Sequence, residues 1–432
     1  MSSTTNGTSS PGMPRSESMA YPRHHSGVLS KVQWYLRQHS MAVIATLAFL
    51  CFVLVVSSDS LHDSDLGPGS LRGKLMGSSS AFRYGGAIHG GYFSVEGSKI
   101  KDNQFRFAAV TDLDQLSLMK DERKMTYRSV LLPGVITHDV ATNKYTMEME
   151  ETRTLKTKHN EAGRGAEFSE LTVFDGRLLT FDDRTGDVFE ILNTKDGKDS
   201  FVAPRYVITE GEGDTDKGMK WEWSTVKDGE LWMGSMGKEF TNPDGSIANV
   251  NNLWVTIMNK SGEFRRVNWT KQFNFVRQVL GCESPGYVIH EAINWSPEMR
   301  KWVFAPRRIS QEPYNDVLDE KRGSNKILII DENFTHADVV EVKMASKDGL
   351  HGFSSFAFVP GTKDKHAIAL RSVEEDCAGD DLDVCKQRSY IVIFDVVTGE
   401  VLMDEVKIEF DMKFEGVEFC NMYTTPPVAS SG

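Results

Sequence analysis

Five short segments each set a hard oxygen donor among bulky apolar residues: GRGAEFSEL (163–171), KGMKWEWSTV (217–226), GYVIHEAINW (286–295), HGFSSFAF (351–358) and KFEGVEF (413–419). The donors are Ser169, Glu222, Glu291, Ser354 and Glu415. A buried carboxylate is costly unless it is paired or bound to metal. Three glutamates converging on one point would repel each other, and a hard cation with about six to eight oxygen ligands would relieve that; Ca²⁺ is such an ion. The same glutamates could instead face solvent, each on its own strand, as glutamates mostly do. Composition alone leaves both arrangements open.

Other site chemistries are excluded by their missing motifs. There is no Gly-x-x-x-x-Gly-Lys-Ser/Thr loop, no His-Glu-x-x-His and no Gly-x-Ser-x-Gly elbow. His290-Glu291 runs on as Ala-Ile-Asn, which is no zinc helix. Asp214-Thr-Asp216-Lys-Gly218 opens like an EF-hand loop but departs from the pattern afterwards. A formal charge of −12 argues against a nucleic-acid partner, which calls for a basic face. It leaves room for an anionic ligand, because a metal ion or an arginine cluster reverses the local field.

The elements that would position these donors are strands. From about Phe105, runs such as RFAAV, LWVTIM, KILIID and SYIVIFDVV alternate with Gly, Asp and Asn turns. LTVFDGRLLTF predicts a hairpin turning at Asp175-Gly176. Trp269, Phe273, Val276 and Leu280 share helical spacing, so one helix is expected over Trp269–Leu280. Many short antiparallel strands fit a propeller or a pair of sandwiches. Turn-plus-strand units recurring at roughly 60-residue intervals, near Glu167, Trp221, Glu291 and His351, favour the propeller.

The N-terminal part reads differently. Met41 to Val56, MAVIATLAFLCFVLVV, carries no charge and no proline. As a helix it spans roughly 24 Å, slightly less than a bilayer core of about 30 Å. Arg15, Arg23, Lys31 and Arg37 precede it, while Asp59, Asp63 and Asp65 follow. That bias predicts a signal anchor with the N-terminus in the cytosol. A cleaved signal peptide is the alternative, though its charged leader would be unusually long. The expected organisation is a disordered cytosolic tail (1–40), a transmembrane anchor (41–57), a Gly/Ser-rich stalk (58–100), a folded domain (101–420) and a C-terminal tail (421–432). Asn259, Asn268 and Asn333 head glycosylation triplets, as suits a lumenal or exterior domain. In an oxidising compartment Cys377 could pair with Cys385, and Cys282 with Cys420; buried free thiols are the alternative.

At this point the residues carry a resemblance. TDLD (111–114), GRGAEFSEL, DDRTGDVFEI (182–191), KGMKWEW, PGYVIHEAINWS, FAPRRISQEPYND (304–316), DEKRGSNKIL (319–328), HGFSSFAFVP, ALRS (369–372) and FEGVEF occur in one order. In that order the chain resembles the calcium-activated nucleotidase (apyrase) family, over about residues 105–419. The resemblance implies an all-β, five-bladed β-propeller with Ca²⁺ on its axis, here preceded by the single N-terminal transmembrane helix. It implies Ser169, Glu222, Glu291, Ser354 and Glu415 as ligands, some through backbone carbonyls. Glu170 stands where the family usually has aspartate and is a further candidate ligand. It also implies nucleoside di- and triphosphates as substrates, and a homodimer.

Phosphoanhydride hydrolysis needs charge neutralisation, an oriented water and a stabilised leaving phosphate. Arg164, Arg184, Arg308 and Arg371 lie within the family motifs and are the candidate phosphate donors, while Asp112 or Asp114 would position or deprotonate the water. Trp223, Tyr287 and Trp295 are available to stack a base. The competing expectations are a calcium-dependent lactonase or esterase and a non-catalytic binding propeller.

Overall fold

The computed structural model describes residues 93–194, 197–242, 246–377 and 385–422. The expected tail at 1–40 and anchor at 41–57 lie outside these residues. Among the described residues no helix is long and apolar enough to cross a membrane.

The described chain is almost wholly β. After β1 (Lys99–Lys101), the first blade is built on β2 (Gln104–Thr111) and β3 (Tyr127–Asp139), with β4 (Lys144–Met149) and β5 (Arg153–Thr157) both paired to β3. The second is the meander β6 (Phe168–Phe174), β7 (Arg177–Asp182), β8 (Asp187–Asn193) and β9 (Ser200–Val207). The third runs β10 (Trp223–Lys227), β11 (Glu230–Gly234), β14 (Trp254–Met258), β15 (Phe264–Asn268), with a small hairpin, β12 (Phe240–Thr241) and β13 (Ile247–Asn249), inserted. The fourth runs β17 (Ile293–Ser296), β18 (Lys301–Phe304), β20 (Lys326–Asp331), β21 (Ala337–Glu341); β16 (Tyr287–Ile289) and β19 (Arg308–Ser310) form a separate ribbon. The fifth is β22 (Gly352–Phe358), β23 (His366–Glu375), β24 (Lys386–Asp395) and β25 (Val401–Lys407). The last strand, β26 (Phe414–Phe419), returns to pair antiparallel with β2 and completes the first blade.

The innermost strands touch in the cyclic order β6, β10, β17, β22, β26, β6, so they enclose an axis. This is a five-bladed β-propeller. Period-2 alternation decides which side chain fills which gap. On β2, Phe107 and Ala109 pack toward the fifth blade, while Ala108 and Val110 pack toward the second. Five apolar clusters result, one between each pair of neighbouring blades. Covering on both faces explains why β6 is buried almost throughout, whereas the outermost β21 is largely exposed.

The expected hairpin forms, with Asp175 and Gly176 both at positive φ between β6 and β7. The expected helix forms as α1 (Thr270–Leu280), burying Phe273 and Val276. Gly281 ends it in the left-handed conformation, where its N–H reaches the carbonyls of Arg277 and Gln278. A second short helix, α2, covers Asp316–Asp319. Cys377 and Cys385 are bonded to each other. Of the two possibilities for Cys282 and Cys420, the free one holds: both are buried free thiols, Cys420 lying in the core between the first and second blades.

Candidate functional site

The five expected oxygen donors occupy equivalent places, at or just before the start of the innermost strand of each blade. At three of them the ladder skips one residue: Ser169 between β6 and β7, Ser354 between β22 and β23, and Glu415 between β26 and β2. Such bulges re-aim a side chain out of the regular alternation. Glu222 precedes β10 with its amide donated to the Gly234 carbonyl at 2.9 Å, and Glu291 lies between β16 and β17.

Glu222, Glu291 and Glu415 come together. One carboxylate oxygen from each lies within 4.8 Å of the others, and all three residues are buried. Burial is the main reason their carboxyls are held above the usual range, Glu222 at about 8 and Glu415 well up; their mutual repulsion adds to it. Ser169 Oγ is buried with no hydrogen-bond partner among the described residues. Three crowded oxygen anions and an orphaned hydroxyl on a neighbouring innermost strand fit a hard divalent cation. Ser354 Oγ is already committed, donating to the Phe414 carbonyl at 3.0 Å. Glu170 is not part of this group. Its Oε1 accepts from the Leu171 amide and Ser355 Oγ, and it lines a different cavity with Glu418.

The glutamate cluster forms one wall of a cavity of about 270 Å³. Eight carboxylates and five basic side chains line it, an excess of three negative charges. Arg307 crosses it: Nη1 donates to Glu291 and, at 2.8 Å, to Glu415, while Nη2 reaches Glu374 at 2.6 Å. Lys413 Nζ lies 2.7 Å from Asp112, 3.0 Å from Asp114 and 3.4 Å from Glu374. Against the cost of burial, Lys413 and Arg307 hold the Glu374 carboxyl down at about 2. Lys220 pairs with Asp183 and, at 2.7 Å, with Glu222. Arg164 Nε donates to Glu167 at 2.8 Å and its Nη2 to Asp114 at 3.1 Å. Arg184, paired with Glu161, completes the basic set.

Asp112 and Asp114 thus stand in the cavity with Arg164 and Arg184. Asp114 sits at φ 48°, in the left-handed region, its amide donating to Asp112 Oδ1 at 2.8 Å. Burial, then the neighbouring Asp112 charge, raises the Asp114 carboxyl.

Two expected arginines lie elsewhere. Arg308 lines the pocket next door, with Nη1 on the Leu350 carbonyl at 3.0 Å and Nε 3.6 Å from Asp319. Arg371 is 1% exposed and bonded to Glu405, Asn325 and the His351 carbonyl, away from the glutamate cavity. Trp223 and Trp295 belong to the core between the third and fourth blades, and Tyr287 is buried with its hydroxyl on Asp319. Sequence reading missed Arg307, Lys220, Lys413, Glu167, Asp183 and Glu374. Only Arg307, Lys220, Lys413, Glu167 and Asp183 fell inside or beside segments already singled out.

Comparison with known proteins agrees in extent with this folded unit. The model of the apyrase family matches residues 113–420. An apyrase from Cimex lectularius is 38% identical over 318 residues, covering 73% of this chain and 82% of that protein. Soluble calcium-activated nucleotidase 1 of Rattus norvegicus is 36% identical over 317 residues, covering 73% and 74%. Apyrase apy-1 of Caenorhabditis elegans is 35% identical over 334 residues, covering 77% and 88%.

Proposed function

The chain belongs to the apyrase family, and on that premise we propose that it hydrolyses nucleoside di- and triphosphates to the monophosphate and inorganic phosphate, with Ca²⁺ as its cofactor. It is a nucleotide-hydrolysing enzyme. One observation carries the reading: a cluster of three buried glutamates shares a single cavity with five basic side chains. A neutral ester substrate has no use for that basic set, which weighs against the lactonase alternative.

Glu222, Glu291 and Glu415, with Ser169 and the Ser354 backbone, would hold the calcium ion; Glu170, whose carboxylate faces another cavity, is left out. When bound, the ion supplies positive charge to the phosphate oxygens and to an attacking water. The chain's own residues do the rest. Arg164, Arg184 and Arg307 offer forked donors to phosphate oxygens. Asp114, which stands in the cavity beside Arg164 and Lys413, takes the proton from the attacking water, and Asp112 fixes the Asp114 backbone by accepting its amide. Lys413 fixes both carboxylates in place.

The reading extends to location. A type II signal anchor at 41–57 would place the propeller in the secretory lumen or outside the cell. The Cys377–Cys385 disulfide and the exposed Asn268 and Asn333 support an oxidising, glycosylating compartment. Resistance of the chain to alkaline extraction from membranes, and its sensitivity to an N-glycosidase, test this. The implied homodimer is tested by sedimentation with and without calcium.

Phosphate release from UDP, GDP, ADP and ATP, with phenol release from a phenyl carboxylate ester as the control, in Ca²⁺, Mg²⁺ or chelator, tests the activity. Calcium-dependent release from the nucleotides is expected. Full activity with magnesium alone would overturn the cofactor, and ester cleavage without phosphate release would overturn the reaction.

A further inference from the structure

Next to the cation cavity lies a second pocket, of about 220 Å³, that the chemistry above does not use. Asp114 and Glu374 line both, so the two adjoin. Their linings differ in kind. The second has aliphatic Leu113 and Leu116, the ring of Tyr314, and the carboxylates of Asp316 and Asp319, with Arg308 as its one basic residue. That guanidinium is already engaged by Asp319 and the Leu350 carbonyl. An acceptor-rich, half-apolar pocket disfavours phosphate. It suits a neutral group with a flat apolar face and N–H or O–H donors.

Gln387 supplies an independent pointer. It is 8% exposed, and its Nε2 donates to Asp114 Oδ2 at 3.0 Å. Its Oε1 is buried on the pocket wall without a hydrogen-bond partner among the described residues. A buried acceptor left unpaired in a pocket wall calls for a donor from a ligand. The outer wall is the Cys377–Cys385 disulfide, tied to the end of α2 because Glu320 accepts from the Cys377 amide at 2.7 Å and the Asp376 amide at 3.2 Å.

We propose that this pocket receives the nucleoside half of the substrate while its phosphates lie in the cation cavity, and that the disulfide fixes the pocket's outer wall. The inference rests on the nucleotidase reading above. The aromatic residues first considered for base stacking are buried in the core or bonded away, whereas Tyr314 is half-buried and lines the pocket.

The test uses the full chain in calcium buffer, with GMP and inorganic pyrophosphate as calorimetric probes and GDP hydrolysis followed in parallel. Leu116→Trp fills the pocket from a side chain that is 44% exposed, so it leaves the core intact. It is expected to weaken GMP about tenfold, equivalent to about 1.4 kcal/mol, and to leave pyrophosphate within about twofold. Replacing both cysteines (C377S with C385S) is expected to weaken GMP in the same selective way. Equal losses for both probes in Leu116→Trp, or no loss for GMP, would overturn the nucleoside pocket. A loss in Leu116→Trp without one in the cysteine variant would overturn the role of the disulfide alone. Wild-type chain that hydrolyses no nucleotide in calcium would overturn the parent reading, and with it this one.

Discussion

Arg307 Nη1 donates to both Glu291 and Glu415, joining the segment before β17 to the strand that closes the ring. Replacing Arg307 by alanine leaves buried carboxylates without their cation and removes a phosphate donor. A fall in kcat/KM of about 10²-fold on nucleotides is expected. Lysine should restore little, since one point charge cannot span three carboxylates as the guanidinium does. Arg371→Ala should instead cost about 3 kcal/mol of stability, because it removes a buried guanidinium that ties the half-buried Glu405 to Asn325 and the His351 carbonyl. Steady-state kinetics together with thermal unfolding separate the two effects.

Glu222→Gln and Glu291→Gln each remove one charge from the cluster. Calcium affinity follows ligand charge, so each should weaken calcium by at least about tenfold. Glu170→Gln, on another cavity, should leave it nearly unchanged. The calcium dependence of the melting temperature reads all three, and a large loss in Glu170→Gln would return that residue to the ligand set.

Asp114→Asn keeps the shape of the cavity and removes the proton acceptor. A drop in kcat of about 10²–10⁴-fold with little change in KM is expected. An unchanged kcat would assign the base elsewhere.

The pH dependence follows from Glu222, raised to about 8, and Glu167, raised to about 9, mainly by burial. Each carboxyl titrates higher in the folded, calcium-free chain than in the unfolded one. The folded state therefore holds more protons between about pH 4.5 and 8, and stability falls as pH rises through that window. Melting temperatures in chelator should decline from pH 5 to pH 8. The gain on adding calcium should grow over the same range, because bound calcium replaces the proton on Glu222. A chelated protein that is more stable at pH 8 than at pH 5 would contradict this.

Gly416 lies where β26 meets β6. A Cβ there would stand 2.6 Å from the Glu170 carbonyl carbon and 2.7 Å from its Cα, both backbone atoms with little room to yield. Gly416→Ala is expected to cost about 2 kcal/mol. Chemical denaturation measures it directly.

The strands, the Asp175-Gly176 hairpin and the one long helix were legible because local rules govern them: alternation, turn chemistry and helical spacing. The site was legible where a family motif named the residue and its backbone position aimed it, as at Glu222, Glu291 and Glu415. It was less legible at the adjacent arginines 307 and 308, of which only Arg307 lines the glutamate cavity. Neighbours in extended chain point to opposite sides, and nothing local distinguishes Arg307, which enters the cavity, from Arg308, which does not. Lys413 and Lys220 were invisible for a different reason. Lysines mostly face solvent, and Lys413 is buried and Lys220 drawn into the cavity only because carboxylates remote in sequence gather there: Asp112, Asp114 and Glu374 around Lys413, and Asp183 beside Lys220. Cys282 and Cys420 could be counted in the sequence, but their separation in space could not.

Pairing β26 with β2 has a consequence for synthesis. A chain still emerging from the ribosome can form its second to fifth blades, yet its first blade waits for β26, the last of the described strands. Glu415 arrives with that strand. Premature termination before Phe414 would thus yield an open arc of blades lacking one of the three clustered glutamates, and an unfinished enzyme would have little hold on calcium. Metal occupancy would in this way report that β26 had been made and had closed the ring.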